Sequence, residues 1–291
     1  MPKTVQFGSI TSFGTPVPDD KHRRIVLGML RDLENNVRSD IEKANERIIG
    51  VLMLGLREDK LTLAEVDSLE RRAAAILLEV GAAIENRVGE TAPLVFRQGQ
   101  LSVEEEVAAA TKLAFLFLLD RMGRPEAVLS DPRAAAARLL RTGALGVPLS
   151  SRLKAFAPYY AAQIRQAAQR GVALELSLKK IVESIRDAVI GRPKPNEGRS
   201  RARSGSFIAR VALKIRDEIS WLHSEGVRDA AQLAPEILML KYRLSPLHPR
   251  TDLCDTYEGQ EFRPDSEQAK NLIPVHENCI CFWQPVYRKA S

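Results

Sequence analysis

Apolar residues first fall into a helical rhythm at Ile25, Leu27, Leu30, Leu33 and Val37, and Ile41, Ile48, Val51, Leu52 and Leu56 carry it on. Steps of three and four place them along one face of a 3.6-residue helix, which predicts one long helix from about His22 to Glu58, or two in succession. Asp19-Asp20 offer an N-cap in front of it. Thr62 followed by Glu65 has capping-box spacing and opens a second predicted helix running to about Val88. Ser102 and Glu105 repeat that spacing before a third, Val107–Met122. Asp131-Pro132 sets a cap before a proline at the first helical position, with a helix through Arg141. Two more are predicted over Ser151–Arg170 and Leu174–Ile190, with Gly171 suited to the end of the first of them.

Either side of this helical body the pattern breaks. Met1 to Pro18 hold Gly, Ser, Thr and prolines without apolar periodicity and read as an extended arm. Gly191 to Ser206, GRPKPNEGRSRARSGS, can bury no apolar surface and reads as a basic flexible linker. Phe207, Val211, Ile215 and Ile219 then predict a helix over Phe207–His223. Beyond it the texture turns β-compatible at Ile237–Leu244, with further short elements at Glu261–Phe262 and Ile280–Tyr287. The expected architecture is mainly α: an arm over 1–18, an all-helical body over 19–190, a basic linker over 191–206, and a small, loop-rich α+β module over 207–291.

Composition supports the helical reading. Hydrophobic residues make up 45% of the 291, charged residues 27%, and aromatics only 5%. The abundant Ala, Leu, Arg and Glu lose little entropy in a helix. No apolar run approaches the roughly 20 residues needed to span a bilayer, so no membrane association is expected. The first residues lack the basic-then-apolar order of a secretory signal. Three cysteines, all between positions 254 and 281, do not make a disulfide framework and suggest a local site in a reduced cytosol.

The charge of +6 is unevenly spread. Between Arg121 and Glu218 there are 20 Lys/Arg against 8 Asp/Glu, which leaves the rest of the chain net acidic. Arg192, Lys194, Arg199, Arg201, Arg203, Arg210, Lys214 and Arg216 face one nearby acid, Glu197. Such a run could neutralise phosphates of double-stranded DNA, dock an acidic protein surface, or be a solvated face. The linker has no aromatics, so base stacking on single strands is not indicated.

The densest information lies near the C-terminus. Leu244-Ser245-Pro246-Leu247-His248-Pro249-Arg250-Thr251-Asp252-Leu253-Cys254-Asp255 is followed by Tyr257-Glu258-Gly259-Gln260-Glu261-Phe262, then by Ile273-Pro274-Val275-His276-Glu277-Asn278-Cys279-Ile280-Cys281. This composite resembles the C-terminal signature of the Mu F-like minor head proteins of tailed phages: Ser-Pro-x-His-Pro-x-x-Asp-x-Cys-Asp, x-Gly-x-x-Phe, and Pro-x-His-x-Asn-Cys-x-Cys. The likeness covers roughly Phe207 to Val286, and Glu277 stands where a proline is more usual. It implies a structural and assembly role in virion morphogenesis. The protein would enter the procapsid through portal, capsid or scaffold contacts and come to lie inside the virion near packaged DNA, after a time in the host cytoplasm.

Cys254, His276, Cys279 and Cys281 form a Cys₃His set suited to tetrahedral Zn²⁺, with His248 as an alternate ligand. A metal joining two distant segments would stabilise a module with a meagre core. The same cysteines could instead be small buried hydrophobes, or could pair as a disulfide once the particle is released. Asp252 and Asp255 are placed to cap turns, Gly259 to take a positive φ, and Phe262 and Pro274 to anchor the module. His248, Asp252 and Asp255 also admit a reading as a metal-dependent hydrolase or nuclease. No phosphate-binding glycine loop, nucleophile elbow or small-molecule site accompanies them, so no enzyme activity is expected.

Overall fold

In the computed structural model, residues 19–55, 62–112, 129–191, 206–234, 237–245, 252–277 and 279–287 are described. The predicted arm (1–18), all but the ends of the basic linker (192–205) and the segment holding His248 (246–251) lie outside them. The described chain is mainly α, with seven α-helices and a small antiparallel sheet near the C-terminus. The helices are α1 (Asp19–Gly55), α2 (Leu63–Lys112), α3 (Pro132–Thr142), α4 (Leu149–Ala173), α5 (Leu178–Val189), α6 (Phe207–Leu233) and α7 (Glu267–Asn271). The strands are β1 (Ile237–Arg243), β2 (Glu261–Phe262) and β3 (Phe282–Tyr287). Among the described residues no helix is long and apolar enough to cross a membrane.

The predicted periodicity holds along α1, which is one continuous helix with Leu30, Leu33, Val37, Ile41, Ile48 and Leu52 buried. The capping box in front of α2 forms in both directions. Glu65 N–H donates to Thr62 Oγ1 at 3.3 Å, and Thr62 N–H donates to the Glu65 carboxylate at 2.6 Å.

Two expectations fail for physical reasons. Ser102 and Glu105 start no helix, because α2 runs on through Pro93 to Lys112. Ala92 and Val95 beside the proline are fully buried, and that packing outweighs a proline's local penalty. Ser102 Oγ donates back to the Gly99 carbonyl at 2.8 Å, as a mid-helix serine does. Gly171 likewise ends nothing. It lies inside α4, where a Cβ would sit 2.4 Å from Ile181 Cγ1, so it permits close approach of α5. The helix closes four residues later at Glu175, which takes a φ of 48°. Leu176 N–H then reaches the Gly171 carbonyl at 2.9 Å, and Glu175 N–H reaches Val172 at 3.2 Å, a Schellman pattern.

The chain forms two compact units. The first comprises Met1–Val26, Val95–Pro132 and Ser220–Ser291; the second comprises Leu27–Leu94 and Arg133–Ile219. The second unit is wholly helical among its described residues, with an aliphatic core that includes Ile41, Ile48, Ile84, Leu153, Ile164, Ile185 and Ile215. It also buries an ion pair: Arg152 donates to the fully buried Glu218 carboxylate, which accepts the Ala144 N–H as well. Burial raises the Glu218 pKa against the opposing pull of Arg152.

The first unit contains the sheet, in the order β2-β1-β3. Central β1 pairs Tyr242 with Trp283 and Arg243 with Phe282 on β3, and Leu240 with Phe262 on β2. Leu240, Tyr242 and Trp283 face a core shared with Val103 and Val107 of α2 and with Val227, Ala230 and Ala231 of α6. Two glycines let the α2 and α6 segments of this unit meet backbone to backbone. A Cβ on Gly99 would lie 2.3 Å from the His223 carbonyl oxygen, and one on Gly226 would lie 2.1 Å from that of Phe96.

Candidate metal centre

Three short segments of the first unit bring the thiols together. After β1 the chain enters a single 3₁₀ turn, Leu253–Thr256. Asp252 caps it: its Oδ1 accepts the Cys254 N–H at 2.7 Å, while the Asp255 carboxylate accepts the Asp252 N–H at 2.7 Å. The cap fixes the first residues of the turn and directs Cys254 fully inward. Gly259, with a φ of 79°, then turns the chain so that its N–H meets the Tyr242 carbonyl at 2.9 Å and β2 can pair with β1. Phe262 on β2 packs edge-on against Trp283, with ring centroids 5.6 Å apart.

The other ligands arrive just before β3. The Ile273–Pro274 peptide is cis. Cys279 and Cys281 are both buried while Ile280 between them is half-buried, the alternation of an extended segment. This segment is held from two helices of the same unit. Arg23 of α1 donates to the Ile280 carbonyl at 3.3 Å and lies 3.9 Å over the Phe282 ring. Ser220 Oγ of α6 donates to the Cys281 carbonyl at 3.3 Å.

Cys254, His276 and Cys279 have ligand atoms that all lie within 4.8 Å of one another, close enough to hold a metal ion. Cys254 Sγ is 3.0 Å from His276 Nε2 and 3.7 Å from Cys279 Sγ. His276 Nδ1 lies 2.7 Å from the Glu277 carbonyl oxygen, which can only accept a hydrogen bond, so Nδ1 carries a proton; Nε2 faces Cys254 Sγ and Asp252, and in the neutral ring it would offer its lone pair to a metal. Asp252 Oδ2 stands 3.1 Å from the same Nε2. Cys281 is outside this closest set, though its thiol interacts with those of Cys254 and Cys279. All three cysteines are free.

The electrostatics favour one thiolate among thiols. Hydrogen bonds from Cys254 and Cys281, with further ones from the backbone of Cys281 and Val275, lower the Cys279 pKa. The bond to Cys279 pushes the Cys254 thiol upward, helped by Cys281 and by burial. A buried site that stabilises a sulfur anion is poised for a soft cation.

The predicted DNA-contacting cations are placed differently. Arg192, Lys194, Arg199, Arg201 and Arg203 are outside the described residues. Arg210 is exposed on α6 and interacts with Tyr160. Lys214 pairs with Asp217 at 4.0 Å and Arg216 with Glu34 at 2.5 Å. Sequence reasoning missed Arg23, Ser220 and Tyr242 as supports of the thiol segment. Only Tyr242 left a trace, in its alternation with Leu240 along β1. No protein-family description, curated protein or solved structure matches the chain.

Proposed function

We propose that this chain is a structural and assembly protein of a tailed-phage head, a minor head component of the Mu F-like kind, with a C-terminal module clipped by zinc. The observation that carries the reading is convergence. Asp252, Cys254, Asp255, Gly259, Phe262, Pro274, His276, Cys279 and Cys281, members of the composite signature among the described residues, belong to one small sheet-and-turn module of the first unit. A motif whose members gather at one place has a physical reason to occur as a set.

Zinc suits the donors better than other common divalent ions, since thiolates and imidazole are its usual structural ligands. Zn–S bonds of about 2.3 Å in a tetrahedron put two sulfurs about 3.8 Å apart. Cys254 and Cys279 are 3.7 Å apart. Were Cys281 to join as fourth ligand, the tetrahedral positions would be filled and none left for a substrate, which favours a structural role over hydrolysis. The partners are then the portal, capsid or scaffold proteins, and the basic stretch around 192–216 lies near packaged double-stranded DNA.

Co-expression with the portal, scaffold and capsid proteins of a tailed phage tests the assembly role. The chain is expected in purified procapsids, and procapsids consistently free of it reject the reading. Duplex DNA binding is expected at low salt and should weaken steeply as salt rises. Binding that is undetectable, or indifferent to salt, removes the DNA part alone.

A further inference from the structure

Tyr242 occupies the centre of β1 with no exposed surface, and its ring is locked edge-on against Trp283 and tilted against Tyr257, at centroid distances of 5.8 and 5.9 Å. A phenylalanine would fill this space equally well. The hydroxyl therefore needs its own explanation, because a buried phenol without a partner is costly. Its Oη lies 3.8 Å from Cys279 Sγ. The oxygen is thus within hydrogen-bond reach of one sulfur of the cluster.

The chemistry of the metal site supplies the reason. Zinc held by three thiolates and one neutral imidazole carries a net negative charge, here in a site whose sulfurs are almost fully buried. Such a charge is stabilised by hydrogen-bond donors pointed at the sulfurs, and outer-shell donors set how strongly the metal is held. Backbone groups of Val275 and Cys281 already bond Cys279. The phenol adds an O–H from a different element, the central strand.

We infer that Tyr242 is a positioning residue of the metal site, its hydroxyl donating to the Cys279 sulfur and raising the site's affinity for zinc; the inference rests on the zinc reading above. With metal bound, the Cys279 sulfur would be a thiolate acceptor and the phenol the donor of their hydrogen bond. Tyr242 thereby ties occupancy of the site to the strand on which both β2 and β3 pair.

The test uses the full chain carrying Tyr242→Phe, with Tyr257→Phe as the packing control. Zinc affinity is measured by competition with a chromophoric chelator, and the site is also loaded with cobalt(II) to read its sulfur-to-metal charge-transfer band. Tyr242→Phe is expected to bind one metal per chain, with affinity lowered about 10–100-fold and the cobalt band shifted, while Tyr257→Phe matches the wild type. Wild-type affinity and an unmoved band in Tyr242→Phe overturn the assignment, and so does an equal loss in Tyr257→Phe, which would mark a packing effect. Should Tyr242→Phe not fold, 3-fluorotyrosine at position 242 changes only the acidity of the hydroxyl, and a cobalt band that stays in place overturns the assignment. If the wild-type protein itself takes up no metal, the zinc reading fails first, and this inference falls with it.

Discussion

The two units are stabilised in contrasting ways. In the second, the core is spread over dozens of aliphatic side chains on long helices, so that no single residue decides whether it folds. In the first, a sheet of three short strands depends on a cap at Asp252, a turn at Gly259, three thiols and one imidazole. A distributed core tolerates substitution as long as size and pattern are kept. A site built from a handful of exact contacts does not. The helical unit can keep its apolar pattern through many substitutions, whereas the cap, the turn and the thiol cluster each depend on particular residues.

The comparison can be broken most directly by chelating any metal that the thiol cluster would hold. Both tryptophans, Trp221 and Trp283, belong to the first unit, so their emission reports on it, while far-UV circular dichroism is dominated by helices. Protein treated with EDTA is expected to lose several kcal/mol from the tryptophan-monitored transition, a large part of a domain's usual ~5–15 kcal/mol. The dichroism melt of the helices should move far less. Superimposable losses by both probes, or none by either, would end the claim that the units are stabilised differently.

The buried Arg152–Glu218 pair is a concentrated dependence within the helical unit. Arg152→Met leaves the Glu218 carboxylate fully buried without its cation, and such a change costs about 3–5 kcal/mol. The double variant Arg152→Met with Glu218→Leu should recover most of that loss in a chemical-denaturation series followed by dichroism. A single variant as stable as wild type would mean that the carboxylate is readily protonated or hydrated there.

How far the sequence disclosed these structures follows the same contrast. The long helices were legible because their signal repeats: α1 carries its apolar step through ten turns, and no competing feature interrupts it. What misled were single local cues. The Ser102/Glu105 spacing matches a helix start, yet Glu105 is engaged by Lys21 at 2.9 Å, and Ser102 bonds backward within α2. Gly171 has the identity of a terminator but serves to let Ile181 approach. In the thiol module the gathering of Cys254, His276 and Cys279 was readable, because few residue types can form such a cluster; Cys281 falls outside the closest set. Tyr242 was not, because nothing in a sequence distinguishes a tyrosine whose hydroxyl matters from one that packs.

Acidity should separate the units as well. His223 is buried in the first unit beside Arg23 and His22, and burial, reinforced by those charges, lowers its pKa from 6.5 to about 4. The unfolded chain takes up a proton as the pH drops below 6.5, whereas the folded protein resists until about 4. Stability is therefore full above pH 6.5 and is lost progressively down to about 4. The loss attributable to this group is about 3 kcal/mol. His223→Gln should flatten that part of the pH dependence, seen in tryptophan-monitored denaturation at a series of pH values. The contribution of the thiols and His276 remains in both proteins, so the difference isolates His223. Parallel curves for the two would show that His223 is protonated or solvated in the folded state.

The smallest expected effect is also the cleanest check on the helical side of the comparison. Gly50 lies within α1 in the second unit, and a Cβ placed there meets nothing within 4 Å. Glycine in a helix interior is held at an entropic cost that alanine avoids, so Gly50→Ala should add roughly 0.5–1 kcal/mol. The gain should appear in the dichroism melt and leave the tryptophan transition where it was, since no residue of the thiol module is touched. If the tryptophan signal rose by the same amount, the two units would unfold as one cooperative body. Their different modes of stabilisation would then describe where the energy is stored and not how the molecule comes apart. A gain confined to the helical signal would show that a core of many small contributions accepts one more without consequence for the site built from few.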